Sequence, residues 1–415
     1  MKFIADFHIH SKYSRATSFR SNLENFSKWM KIKGIRVLAT GDFTHPEWLK
    51  NLKERLEGAE PGLFKLKNSE SENRFILTTE VSCIYSKKRR LRKIHLVLFA
   101  PSFKIIEKIN NQLSFFGNLK PDGRPTFGLD AKEIVKIILN ISDECLIIPA
   151  HIWTPWYSLF GSRSGFDSIE ECFEDYSKYI FAIETGLSSN PEMNWRLSAL
   201  DKITLISCSD AHSSPNIGRE ANVFNTELSY PAIVEAIKSK DPQKFLYTIE
   251  FFPQEGKYHF DGHRNCGISL SPKETKKYNG ICPVCGKPLT IGVLNRVEQL
   301  ADRPEGFNPP NAIPFKSLIP LEQIIADALG QGVGTVEGKK EYKNLIEKFE
   351  NEFEVLLNTP KESLEKVTLP KIAEAIIRVR EGKVEIEPGF DGVYGKIRIF
   401  SKKEKKFLSK QKTLF

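Results

Sequence analysis

The chain opens Phe3-Ile4-Ala5-Asp6-Phe7-His8-Ile9-His10, apolar residues alternating toward two histidines two positions apart. Positions i and i+2 of a strand project to one face, so His8 and His10 can offer both imidazoles to a single metal ion. Alone, the pair fits a partly exposed strand end equally well. The pattern of an apolar run closing on His, Asp or Glu then recurs. Ile35 to Thr40 leads into Gly41-Asp42-Phe43-Thr44-His45, and FILTTEVSCIY carries Glu80. Lys93 to Phe99 carries His95, Cys145 to Ala150 delivers His151, and Tyr179 to Ile183 delivers Glu184. Ile203 to Cys208 delivers Ser209-Asp210-Ala211-His212. Between these runs, Leu23 to Lys31 and Leu129 to Leu139 have the apolar spacing of helices. The alternation predicts an α/β fold built as a parallel barrel, with functional side chains gathered where the strands end.

At 415 residues the chain has room for about two or three domains. Its hydrophobic fraction of 40% and charged fraction of 27% are those of a globular protein. No apolar run approaches the ~20 residues of a membrane span, so no membrane partner is expected. His8 and His10 interrupt any signal-peptide core, and the odd count of 7 cysteines suits a reducing compartment, so a cytoplasmic location is expected. The net charge of +9 favours a polyanionic partner.

DFHIHS, GDFTH, TTE with Glu80, and CSDAH together resemble the motifs of the PHP superfamily of metal-dependent phosphoesterases, over about the first 225 residues. The resemblance implies a distorted (β/α)7 barrel. It also implies that His8, His10, Glu80 and Asp210 hold one metal, that Glu80 bridges to a second held by His95 and His151, and that Asp42 and His212 serve a third. Two departures bear on the third ion: Phe43 follows Asp42, leaving His45 as the nearest histidine, and Arg15-Ala16 stands where the first-motif loop usually offers a ligand. Imidazoles with carboxylates suit two or three ions of zinc, manganese or iron, with magnesium also possible. Phosphoester hydrolysis is the matching chemistry, with Asp210 and Glu80 at its centre. Arg219 either steadies phosphate charge or forms an ordinary salt bridge.

Two loops extend this reading to nucleic acid. Lys87, Lys88, Arg89, Arg90, Arg92 and Lys93 lie between the strands of Glu80 and His95, where they either hold a phosphate backbone near the site or form a solvated turn. After His151, Trp153, Trp156 and Tyr157 suit a packed loop or a platform for exposed bases.

The character of the chain changes from Pro242. His263-x2-Cys266, then fifteen residues, then Cys282-x2-Cys285 is the spacing of a structural zinc site, with His259 in reserve as a fourth ligand. Helices are predicted over Pro320 to Leu329, Lys339 to Leu357 and Leu369 to Glu381. The expected units are a phosphoesterase domain over 1–230, a zinc-binding module over 251–300, a helical domain over 301–400 and a basic tail over 401–415. In that tail Gln411, Leu414 and Phe415 resemble the start of a sliding-clamp binding motif.

The ordered set GKYHFDGHRNC, CPVCGKPLTIGVLNRVEQLADRPEG and PGFDGVYGKIRIF after a PHP domain resembles the endonuclease Q family over essentially the whole chain. That resemblance implies a DNA repair endonuclease that incises 5′ of uracil, hypoxanthine, xanthine or an abasic site. The rival readings are a small-molecule phosphatase on the same barrel, which leaves the zinc module and basic loop without a role, and a non-catalytic DNA-binding scaffold.

Overall fold

The computed structural model describes residues 1–401 and Glu404; the clamp-like residues Gln411, Leu414 and Phe415 lie outside the described residues. The opening strand, Lys2–Asp6, runs parallel to Val37–Ala39, with Ala5 opposite Val37 and Asp6 opposite Leu38. On its other side it pairs antiparallel with Ala221–Asn225. Val37–Ala39 runs parallel to Arg74–Lys87, which pairs antiparallel with Arg90–Ala100, and that strand in turn pairs with Leu146–Pro149. Ala182–Glu184 and Thr204–Ile206 form a parallel ladder of their own.

The fold is therefore mixed α/β, not parallel throughout as the alternation had suggested. The reason is local. Lys88 and Arg89 have φ of +52° and +60°, the left-handed pair of a two-residue hairpin turn, and such a turn can only join antiparallel strands.

Parity along the opening strand decides what each residue does. Phe3, Ala5 and Phe7 enter an apolar cluster with Phe99, Ile148, Ala182 and Ile206. Asp6, His8 and His10 are buried as polar groups instead. Helices Leu23–Lys33, Phe103–Leu113 and Ala131–Ile141 cover the sheet from outside, burying Phe26 and Met30, Ile106 and Ile109, and Ile134 and Ile138. Each starts on a side-chain cap, Asn22, Ser102 and Asp130 respectively.

The sheet continues past residue 230. Phe245–Glu250 pairs with Ala221–Asn225, and Phe315–Ser317 pairs with Phe245–Glu250. Between them lies a small unit of one hairpin, Asp261–His263 with Ile268–Leu270, and the helices Pro272–Lys277 and Val293–Leu300. Long-range polar bonds dock it: Arg296 donates to the carbonyls of Phe160 and Phe166, and Arg196 pairs with Glu298. The C-terminal part is helical over Leu321–Leu329, Val336–Phe349, Glu352–Leu357, Lys361–Glu365 and Pro370–Arg380. The single helix expected over Lys339 to Leu357 breaks at Glu350, where φ is +71° and Asn351 caps the next helix. Among the described residues, no helix is long and apolar enough to cross a membrane.

Candidate metal centre

The even-numbered residues of the opening strand lead into a set of unpaired donors. His10 Nε2 lies 3.2 Å from Asp210 Oδ1, and His8 Nε2 lies 3.7 Å from the same oxygen. All three atoms are buried, with no hydrogen-bond partner among the described residues. Buried polar atoms are otherwise nearly always satisfied, so three orphans facing one point fit a cation. Beside them, Glu80 Oε1 lies 2.6 Å from His95 Nδ1 and 3.1 Å from His151 Nε2. Its other oxygen, Oε2, lies 3.3 Å from His10 Nε2 and 3.6 Å from His8 Nε2. Glu80 thus gives one oxygen to each donor set.

The rings are aimed from behind. His8 Nδ1 meets Glu184 Oε1 at 3.0 Å, and His10 Nδ1 meets Asp42 Oδ1 at 3.0 Å. An ionised carboxylate only accepts, so each Nδ1 carries the proton and each Nε2 turns its lone pair inward, the usual support of a metal-bound histidine. Glu184 also accepts from the backbone N–H of His151 at 2.7 Å.

Asp42, His151 and Asp210 each follow a strand, and all three have left-handed backbone, with φ of +50°, +31° and +46°. Such conformations cost about 1–3 kcal/mol each outside glycine and persist where surrounding bonds fix them. Gly186 lies under one of them, where a Cβ would come within 2.6 Å of His151 Cβ.

The electrostatics agree with the donor count. Burial works against protonating His8, yet Glu184, Glu80 and Asp210 raise it well above the usual imidazole range. Burial likewise opposes protonation of His10, and Asp42, Asp210 and Glu80 outweigh it. Glu80 is held well below the usual carboxylate range despite burial, chiefly by His95, Arg124 and His8. His95 is the exception: burial pushes it down to about 4. A pocket that draws protons onto its imidazoles is short of positive charge, which bound cations supply.

The same geometry can be set beside known proteins. The family of the MJ0043 C-terminal domain matches residues 320–383. The protein MJ0043 of Methanocaldococcus jannaschii is 37% identical over 253 residues, which span 59% of this chain and 31% of that longer protein. YqxK of Bacillus subtilis is 32% identical over 312 residues, 74% of each chain. The lesion-specific endonuclease PfuEndoQ of Pyrococcus furiosus superposes with a TM-score of 0.86 at 32% identity, over 96% of this chain and 95% of that one. Endonuclease Q bound to a 27-mer duplex with an abasic lesion at its active site superposes at 0.85, also at 32% identity, over 98% of both chains. The chain belongs to the endonuclease Q family.

Within this endonuclease Q fold, the structure brings His8, His10 and Asp210 together as one set and Glu80, His95 and His151 as another. Other residues singled out in the sequence stand elsewhere. Asp42 backs His10 and also accepts from Ser11 and Ser14. Both nitrogens of His45 are taken: Nδ1 accepts from the Trp48 N–H as a helix cap, and Nε2 meets the Lys120 carbonyl at 2.9 Å. His212 lies at the rim, with its ring 4.5 Å from that of His10. Arg219 grips the backbone, donating to the carbonyls of Ser209 and Asp210 and so bracing the loop that carries Asp210.

The basic run divides. Lys87 is bound to Asp130 and Glu174, and Arg92 is buried over the Phe166 ring with a bond to the Gly165 carbonyl. Lys93 lies over the ring of Tyr157, and Lys88, Arg89 and Arg90 form the exposed hairpin tip. That tip is seven or more residues beyond Glu80 along the strand, about 23 Å at ~3.3 Å per residue.

Of the aromatic residues, Trp153 is core, with its indole N–H on Asn194 at 2.8 Å. Tyr157 lies against the His95 ring at 4.7 Å. Trp156 is 42% exposed and meets Tyr258 edge-on.

His263, Cys266, Cys282 and Cys285 form a third donor set, while the reserve residue His259 stands outside it, buried and stacked on the Phe260 ring. Two residues were missed in the sequence: the role of Glu184 behind His8, and Arg124, whose Nη1 lies 2.9 Å from Glu80 Oε2. Glu184 was visible as another strand-end acid, but nothing local marked Arg124.

Proposed function

We propose that this chain is a DNA repair endonuclease that hydrolyses the phosphodiester on the 5′ side of a deaminated base or an abasic site. One observation carries the reading: Glu80 gives one oxygen to each of two donor sets in a fold shared end to end with a lesion-specific endonuclease. His8, His10, Asp210 and Glu80 would hold one divalent ion, and Glu80, His95 and His151 a second. Zinc, manganese and iron suit these donors best, and magnesium is admitted. Such an ion pair supplies Lewis acidity at phosphorus and a nucleophile available near neutral pH.

The chain's own residues do the rest. Glu184 and Asp42 keep the imidazoles in one tautomer, Arg219 holds the Asp210 loop, and Trp156 offers an exposed ring beside the site for an unpaired base. Lys88, Arg89 and Arg90 attract the duplex backbone at a distance from the chemistry. His263, Cys266, Cys282 and Cys285 hold a structural zinc. The division into phosphoesterase, zinc and helical units, the closure of the sheet into a barrel, the cytoplasmic location and a clamp contact through the tail belong to the same reading. The small-molecule phosphatase gains nothing from a relative crystallised on duplex DNA.

The test is incubation with end-labelled duplexes carrying a single uracil, hypoxanthine or abasic site, with divalent ions present, resolved on a denaturing gel. A nick immediately 5′ of the lesion is expected. Phosphate release from small monoesters without strand cutting would sink the proposal.

A further inference from the structure

The loop Lys120 to Pro125 is pinned across the side of the site where Asp42 lies. His45 Nε2 meets the Lys120 carbonyl at 2.9 Å, Thr44 Oγ1 donates to the Gly123 carbonyl at 3.1 Å, and Gly123 N–H donates to the Tyr13 carbonyl at 3.0 Å. The Ser82 N–H donates to the Pro125 carbonyl at 2.9 Å. The approach is so close that a Cβ on Gly123 would come within 2.3 Å of Ser14 Oγ and 2.5 Å of Asp42 Oδ2. Asp42 itself is fully used. Its Oδ2 accepts from Ser11 N–H, Ser11 Oγ and Ser14 Oγ at 2.7, 2.7 and 2.9 Å, and its Oδ1 faces His10 Nδ1. Four donors meet about four lone-pair sites, so no electron pair is left for an ion.

What the pinned loop delivers is Arg124. Its guanidinium bonds Glu80 Oε2, the oxygen that faces His8 and His10, and the side chain keeps 26% exposure. We propose that Arg124 is a catalytic residue that takes the place of the third cation: the centre holds two metal ions, and the Arg124 guanidinium supplies the remaining positive charge to the substrate phosphate. A planar fork with a permanent charge suits that task, because it binds phosphate oxygens directly and needs no loading. His45, expected as a ligand, is on this view a positioning residue that holds the loop from below.

The inference rests on the two-metal reading above, and the experiment separates their failures. The full-length chain is loaded with zinc, dialysed exhaustively and counted by elemental analysis, beside a Cys282→Ser variant that removes the module's ion. Two ions at the catalytic centre and one at the module are expected. Three at the centre would overturn the inference alone, and none there would overturn the function. Arg124→Ala should keep the two ions while kcat for nicking falls by about 10²–10³-fold. Added guanidinium should restore part of that rate, which a merely structural loss would not allow. Arg124→Lys, which keeps a charge without the fork, should fall between, and it serves as the reading if the alanine variant does not fold. Wild-type cutting by Arg124→Ala, or loss of an ion from it, would refute the assignment.

Discussion

Two groups of metal-binding side chains sit in one chain and are built on opposite plans. Around Glu80 the donors are carboxylate oxygens and imidazole nitrogens, His8, His10 and His95 are buried, and two rings are braced by carboxylates behind them. Around Cys282 the donors are three thiols and one imidazole on a small hairpin and knuckle, with Cys285 exposed and its sulfur 3.5 Å from His263 Nδ1. Burial opposes ionisation of Cys282, yet the N–H groups of Cys285 and Val284 bring its thiol down to about 7, which suits a thiolate ligand. The first plan fixes charges in a cleft that must admit a substrate. The second ties together a segment too small to hold itself by apolar burial. Depth and the bonds behind the donors, not the presence of ligands, distinguish the two sets.

The largest effect should come from breaking the first plan. Asp210→Ala removes a ligand oxygen that has no other partner, and nicking should fall by about 10³-fold or more while the melting curve of the module is unchanged. Equal losses of activity and module stability would erase the distinction. Cys282→Ser attacks the second plan: one zinc should be lost and a separate low-temperature unfolding step should appear in calorimetry, with the two catalytic ions retained. Trp156→Ala tests the seam, since this exposed ring, on the loop that follows His151, meets Tyr258 of the zinc-bearing unit. Lesion-duplex affinity should weaken by about tenfold, at the lower end for one stacked base, with little change for undamaged duplex in a fluorescence titration.

The smallest effect concerns pH. Glu250 lies buried below the site, and burial raises its carboxyl against the bonds from Thr248 and Thr185. A carboxyl whose folded pKa is raised stabilises the fold fully below its unfolded pKa, and that contribution is lost as pH rises through the folded value. The melting temperature of the metal-loaded protein should therefore decline from pH 5 to pH 8, and Glu250→Gln should flatten the decline by about a few degrees.

Much of this was legible beforehand because strand geometry has a short period. His8 and His10 are two residues apart, and Glu80, His95, His151 and Asp210 each sit in or just after an apolar run, so local pattern was enough to gather them. What escaped depended on distance through space. Asp42 reads as a ligand from its motif, but its partners Ser11 and Ser14 come from another loop, and together they turn it into a brace for His10. Arg124 lies in a polar turn whose neighbours in sequence say nothing of Glu80, 44 residues away. The break at Glu350 was hidden by an uninterrupted helical spacing, and only its left-handed backbone and the Asn351 cap end the helix there.

The left-handed backbone at Asp42, His151 and Asp210 also limits what evolution or an engineer can write at those corners. Glycine takes that conformation freely, asparagine, aspartate and histidine take it more readily than most residues, and β-branched residues fit it worst. Asp210→Asn should keep the loop in place, whereas Asp210→Val should displace it before any question of chemistry arises. Substitution in this cleft is thus narrowed by the backbone at three of its corners, whereas Glu80 and His95, which sit on regular strand, carry no such constraint.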